Sequence, residues 1–171
     1  SRPRHGQWKT GLFVAALAAS WPAAAPAADC QARSGPMQAA LIELYTSEGC
    51  SSCPPADRWL AQLAVESARG DKVVPLALHV DYWDSLGWRD RFAQPGFSAR
   101  QRALTALQGG KTVFTPQVML NGRTAWDWNE TAAFDQRIAQ INARPAPAAL
   151  TLNLKTRPGV WEIQLQGQLQ T

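Results

Sequence analysis

Apolar runs and amphipathic stretches alternate through the middle of the chain. Residues 39–46 form an apolar run broken chiefly by Glu43, the pattern of a strand buried on both faces. Residues 54–67 place Trp59, Leu60, Leu63 and Ala64 at helical spacing on one face. Residues 73–80 read as a second buried strand, and residues 97–107 as a helix that Gly109-Gly110 ends. A third strand at 117–120 runs into Asn121-Gly122, a turn that joins antiparallel strands, with the returning strand at 124–126. The last helix is expected at 129–143, with Asn129 as N-cap and Phe134, Ile138 and Ile141 facing inward. Beyond the spacer Pro145-Ala146-Pro147, residues 150–154 and 161–165 alternate at period two about Arg157-Pro158-Gly159, predicting a β-hairpin. A lone hairpin is marginal in water, so this one is expected to pack on the main domain or on strands beyond a truncated C-terminus.

Composition narrows the class. With 171 residues, 46% hydrophobic and 18% charged, the chain is one globular domain rather than a disordered one. Its net charge of +4 invites a nucleic-acid partner, but Arg2, Arg4 and Lys9 supply most of it. From Ala28 onward 14 basic residues face 13 acidic ones, so no basic footprint remains and nucleic acid is not expected as a partner. The basic stretch, the apolar run at 11–19, Pro22 and the Ala25-Pro26-Ala27 site have the grammar of a secretory signal peptide spanning 1–27. Cleavage is expected before Ala28, with a periplasmic or secreted location; contact with a membrane would come only through an uncleaved leader. Asp29 stands where a lipoprotein needs a small residue before Cys30, which argues against lipid attachment.

The chemistry centres on Cys50-Ser51-Ser52-Cys53, set between a buried strand and a helix that opens with Pro54-Pro55. Two intervening residues at a helix start let the sulfurs meet as a disulfide while the first stays near the surface. Free N–H groups and the positive helix end then favour a thiolate on that first sulfur. Proline at the first helical position forfeits no hydrogen bond. Three readings stay open: redox chemistry, metal binding and an inert disulfide. The pair supplies only two metal ligands; Cys30 and His79 are the remaining candidates, with nothing in the sequence to bring them together. Thr115-Pro116 opens the third strand, a place where proline is tolerated on backbone grounds alone.

The succession strand, C-x-x-C, helix, strand, helix, Thr-Pro, strand and turn resembles the thioredoxin fold over residues 39–143: a mixed β-sheet flanked by helices, here extended by the C-terminal hairpin. That resemblance implies a cis Thr115-Pro116 bond facing the cysteines. The segment Glu43-Leu44-Tyr45-Thr46-Ser47-Glu48-Gly49-Cys50-Ser51-Ser52-Cys53-Pro54-Pro55-Ala56-Asp57 is similar to the signature of the secreted bacterial family named domain of unknown function 1223. His79-Val80-Asp81-Tyr82-Trp83-Asp84-Ser85-Leu86-Gly87-Trp88 resembles its second signature, and Gln101-Arg102 and Thr115-Pro116-Gln117 match as well. Membership implies an exported thioredoxin-like protein whose substrate the family name leaves open. Gly49 stands where ordinary thioredoxins carry tryptophan, and Ser51-Ser52 replaces Gly-Pro, so the direction of electron flow is not implied.

Other residues carry paired readings. Glu43, in a buried strand, is either a proton shuttle for the second thiol or a structural acid paired with an arginine. Asp57 complements the helix dipole. His79, Asp81, Tyr82, Trp83 and Trp88 end or follow the second strand, where ligands collect in parallel sheets, or else cap the core. Asp81 and Trp83 are the candidates for a substrate-groove wall beside Thr115. Cys30 is the odd thiol. The sequence thus predicts a leader at 1–27, a thioredoxin-like domain at 28–144 and a hairpin at 148–171. The activity expected is that of a thiol–disulfide oxidoreductase: Cys50 attacks, Cys53 resolves, Pro116 lines the groove and Glu43 moves a proton. The substrate would be a protein or small thiol or disulfide, with no cofactor. The alternative is a soft-metal (copper or zinc) handling or interaction protein on the same scaffold.

Overall fold

A computed structural model of the chain describes residues 29–67, 72–157 and 159–170. The leader expected at 1–27, with its cleavage site, lies outside the described residues, as does Pro158. In chain order the elements are β1 (Cys30–Arg33), β2 (Ala40–Thr46), α1 (Pro54–Ser67), β3 (Val73–His79), a short 3-10 turn (Asp84–Leu86), α2 (Pro95–Leu107), β4 (Gln117–Leu120), β5 (Arg123–Thr124), α3 (Thr131–Asn142), β6 (Ala148–Arg157) and β7 (Val160–Leu169). The protein is a mixed α/β structure with two sheets.

The first sheet has the order β3-β2-β4-β5, with β2 parallel to β3 and antiparallel to β4. The apolar run of β2 is central, and every residue but Leu41 is buried. Its alternating side chains feed two cores. Ala40, Ile42 and Leu44 join Leu60 of α1, Val118 and Leu120 of β4, and Phe134 and Ile138 of α3. Tyr45 joins Leu78, Val80 and Met119, against which Phe97 and Leu104 of α2 pack. Each fully buried Val, Leu, Ile, Phe or Met side chain among these stabilises the fold by roughly 1.5–3 kcal/mol. No described helix is long and apolar enough to cross a membrane.

Several boundaries differ from the sequence expectation. Strand β3 is an edge strand, with Val74 and Leu76 exposed, rather than doubly buried. Its Pro75 fits an edge, where a missing N–H breaks no ladder. Helix α2 starts at Pro95, two residues early, because proline at the first helical turn is preset for helix. Helix α3 starts at Thr131; residues 126–129 are spent in a turn that closes with Glu130 N–H donating to Asp127 O, so Asn129 caps nothing. The return strand is Arg123–Thr124, one position before the expected start. Asn121 (φ 48°) and Gly122 (φ 74°) make the tight turn, and the Asn121 side chain accepts the Leu41 N–H at 2.8 Å.

The expected hairpin is present and longer, its register ending with Arg157 opposite Val160, and Gly159 takes φ 74°. It is not two-stranded: β1 pairs antiparallel with β6, giving the order β1-β6-β7. Register puts Leu152 opposite Leu165, Leu154 opposite Ile163 and Cys30 opposite Leu154, so one face is apolar. Asn153–Gln164 and Lys155–Glu162 pairs make the other polar. A cleft of about 490 Å³, lined by Met37, Val74, Ala148 and Leu150 among others, runs between the sheets.

Candidate functional site

The carboxyl end of β2 delivers the chain into a turn in which Cys50 N–H donates to Ser47 O and Cys53 N–H to Cys50 O. Helix α1 then begins with Pro54-Pro55, which have no N–H, and its first N–H groups, at Ala56 and Asp57, both donate to Cys53 O. Cys50 and Cys53 are joined as a disulfide. Cys50 is 2% exposed and Cys53 0%. The sequence places the first sulfur near the surface; instead both cysteines are covered, with the hydroxyls of Thr115 and Ser52 against Cys50 Sγ.

The Thr115–Pro116 bond is cis. Thr115 O–H donates to Cys50 Sγ at 3.3 Å, and Trp83 Nε1–H donates to Thr115 Oγ1 at 2.8 Å. The Ser52 hydroxyl lies 3.5 Å from the same sulfur. A Cβ on residue 49 would sit 3.6 Å from Trp83 Cβ, so Trp83 approaches from the side that glycine leaves open. Trp83 and Cys50 are thus linked through the Thr115 hydroxyl. Asp81 does not join them: it exchanges hydrogen bonds with Ser98 of α2 and lines a separate cleft of about 530 Å³ with Asp84, Arg89, Asp90 and Arg91.

Glu43 is fully buried on the α2 side of the sheet. Its Oε1 accepts from Arg100 Nε at 2.6 Å and from Tyr45 O–H at 3.3 Å, while Oε2 has no partner. Of its two readings, the arginine-paired acid is the one the geometry fills. Burial, then the Glu43 charge, push the Tyr45 phenol far above its ordinary range, and the Glu43 hydrogen bond and charge raise the Arg100 guanidinium. Asp57 accepts from Thr46 O–H at 2.7 Å.

Two residues that hold the site went unassigned in the sequence. Asp90, with its side chain fully buried, accepts from His79 Nδ1 at 2.6 Å, from Glu48 N–H at 2.8 Å and from Phe92 N–H at 2.9 Å. Burial works against its charge, but these donors outweigh it and hold the carboxyl below its usual range. Asp90 thus ties the loop before Cys50 to the end of β3. Gln101, buried on α2, donates to Phe114 O at 2.9 Å and to Gln117 Oε1 at 2.7 Å, anchoring the loop that carries Thr115 and Pro116. No pattern in the sequence marks it, since the other buried residues of α2, Ser98 and Thr105, are polar as well. Tyr82 O–H bonds Gln101, and Trp88 Nε1–H bonds Glu48 Oε2 at 3.3 Å.

Cys30 is free and exposed on β1, in the other sheet. Among the described residues, no three His, Cys, Asp or Glu side chains are grouped to hold a metal ion. The metal set of Cys50, Cys53, His79 and Cys30 is therefore not assembled here.

Residues 41–171 match the family described as Protein of unknown function (DUF1223). The crystal structure of a protein from Agrobacterium tumefaciens is similar: 32% identity, a TM-score of 0.50, and a match over 68% of this chain and 57% of that one. The chain thus spans little more than half of that solved relative. No curated protein matches it.

Proposed function

The chain belongs to the DUF1223 family, and we propose that it is an exported thiol–disulfide oxidoreductase on a thioredoxin-like scaffold. Supporting the scaffold, a C-x-x-C turn at a helix start meets a cis-proline loop at the end of a sheet ordered β3-β2-β4-β5. The observation that carries the activity is the hydrogen bond from Thr115 O–H to Cys50 Sγ. It singles out one sulfur of the pair, and that sulfur lies before the helix whose positive end favours a thiolate. Export rests on the leader at 1–27, and the substrate is a protein or small thiol or disulfide.

In the reducing half-reaction, the Cys50 thiolate attacks a substrate disulfide and a substrate thiolate leaves, taking a proton. Cys53, deprotonated, then attacks Cys50 Sγ. The Cys50–Cys53 bond forms, the second substrate thiol departs, and two electrons have passed to the substrate. The reverse sequence oxidises a substrate dithiol.

With Cys50 only 2% exposed, a substrate sulfur has to displace neighbouring side chains to reach it. An inert structural disulfide is buried in the same way, and trapping separates the two. Reduced Cys53→Ser protein should accumulate mixed disulfides through Cys50, and Cys50→Ser should trap almost none. Absence of trapped partners, together with a reduction potential below about −300 mV, would make the pair a structural staple instead.

A further inference from the structure

We infer that Trp83 is a positioning residue for the redox pair: its indole N–H, acting through the Thr115 hydroxyl, stabilises the thiolate form of Cys50. The inference rests on the oxidoreductase reading and adds to it the group that sets the reactivity of the attacking sulfur.

The geometry is a chain of donors with one direction. Trp83 Nε1 has a proton and no lone pair to offer, so its 2.8 Å contact with Thr115 Oγ1 has the indole as donor. That bond occupies a lone pair of the hydroxyl and leaves its single proton for Cys50 Sγ, 3.3 Å away. Without the indole the hydroxyl would be free to turn its proton away from the sulfur and donate elsewhere. Linked hydrogen bonds polarise one another, so the far donor strengthens the near one. The chain ends on Cys50, while Cys53 receives no side-chain donor among the described residues.

The benefit falls on the step in which Cys50 carries charge. When a substrate dithiol is oxidised, its first thiolate attacks Cys50 Sγ and the Cys50–Cys53 bond breaks. Cys53 takes the electron pair and then a proton from solvent. The second substrate thiol, deprotonated, attacks the substrate sulfur of the mixed disulfide; the substrate disulfide forms and Cys50 leaves as a thiolate. Two electrons pass from the substrate dithiol to the protein. A donor chain aimed at Cys50 stabilises that leaving group, and in reverse it raises the thiolate fraction available for attack. The titratable groups round the site are engaged elsewhere: Glu48 with Trp88, Asp57 with Thr46, and His79 with Asp90.

The experiment measures the pH dependence of Cys50 alkylation in reduced protein. Thr115→Val removes the near donor and should raise the Cys50 thiol pKa by about one unit, a roughly tenfold loss of thiolate below it. Trp83→Phe keeps the ring and removes the N–H, and should raise it by about half a unit, roughly threefold. Thr115→Ser should restore the wild-type profile. In the Thr115→Val background, Trp83→Phe should add nothing, because its path to the sulfur is already cut. An unmoved alkylation profile in Trp83→Phe, or full additivity of the two variants, would overturn the inference while leaving the oxidoreductase reading standing. A wild-type Cys50 that titrates like a free thiol, near 8.5, and exchanges with no disulfide would instead remove that reading.

Discussion

In the four-stranded sheet Ile42, Leu44 and Tyr45 are 0% exposed between helices on both faces. In the three-stranded sheet Trp161, Ile163 and Leu165 line one face and are 65%, 65% and 67% exposed. Both sheets carry apolar side chains at strand positions, yet among the described residues only the first has helices laid over them. Apolar patterning determines which face of a strand points together with its neighbours; what covers that face is a property of the rest of the chain. The site follows the same division. Cys50, Thr115 and Trp83 all hang from the end or edge of the covered sheet, while the free Cys30 lies on the open one.

The largest test of this contrast is truncation at equivalent positions. Leu44→Ala, in the covered sheet, should cost about 3–5 kcal/mol of unfolding free energy. Ile163→Ala, on the open face, should stay within about 0.5 kcal/mol. Urea denaturation of both variants, with equal losses, would erase the distinction.

A middle-sized effect is expected at the carboxylates. Asp90 has a folded-state pKa below its unfolded one. Its contribution is therefore fully present above the unfolded value of about 3.9 and is lost as pH falls through the lower folded value. Asp90→Asn should lose about 1–3 kcal/mol at neutral pH and show a shallower acid limb in denaturation against pH. Glu162→Gln in the open sheet, where the partner Arg157 is largely exposed, should change stability by less than about 0.5 kcal/mol. A steep acid limb that survives in Asp90→Asn would move the effect elsewhere.

The smallest change should come from Leu165→Lys. Its stability should stay within about 0.5 kcal/mol of wild type, while binding of an apolar fluorescent dye falls. A marked loss of stability would show that something covers this face.

Legibility in the sequence follows the range of the interactions. The run at β2, the helix after Cys53 and the Asn-Gly turn are set by neighbours along the chain, and all three lie where periodicity and turn chemistry put them. Strand β1 has no such pattern: Cys-Gln-Ala-Arg becomes a strand only because β6, more than a hundred residues on, pairs with it. The edge position of β3 is equally remote from its own composition, which reads as buried. At the site, the cysteines and Thr115-Pro116 were legible from spacing and order. Asp90 and Gln101 were not, since their importance lies in distant backbone groups they satisfy: Glu48 N–H for one, Phe114 O for the other. Asp81 follows β3, where ligands collect in parallel sheets, yet its carboxylate is bonded by Ser98 of α2; residues close together on an irregular loop need not face the same way.

The pairing of β1 with β6 also bears on timing during synthesis. Gln31 and Asn153, hydrogen-bonded side chain to side chain, are separated by 122 positions. At about 5–20 residues per second, roughly 6–24 s pass between the making of the two strands. In the last part of that interval, once Thr124 has been made, the strands of the covered sheet are all available to one another, whereas β1 still waits for β6. A chain emerging from its N-terminus therefore closes its second sheet last, and until then depends on other contacts to keep its first strand from pairing with the wrong one.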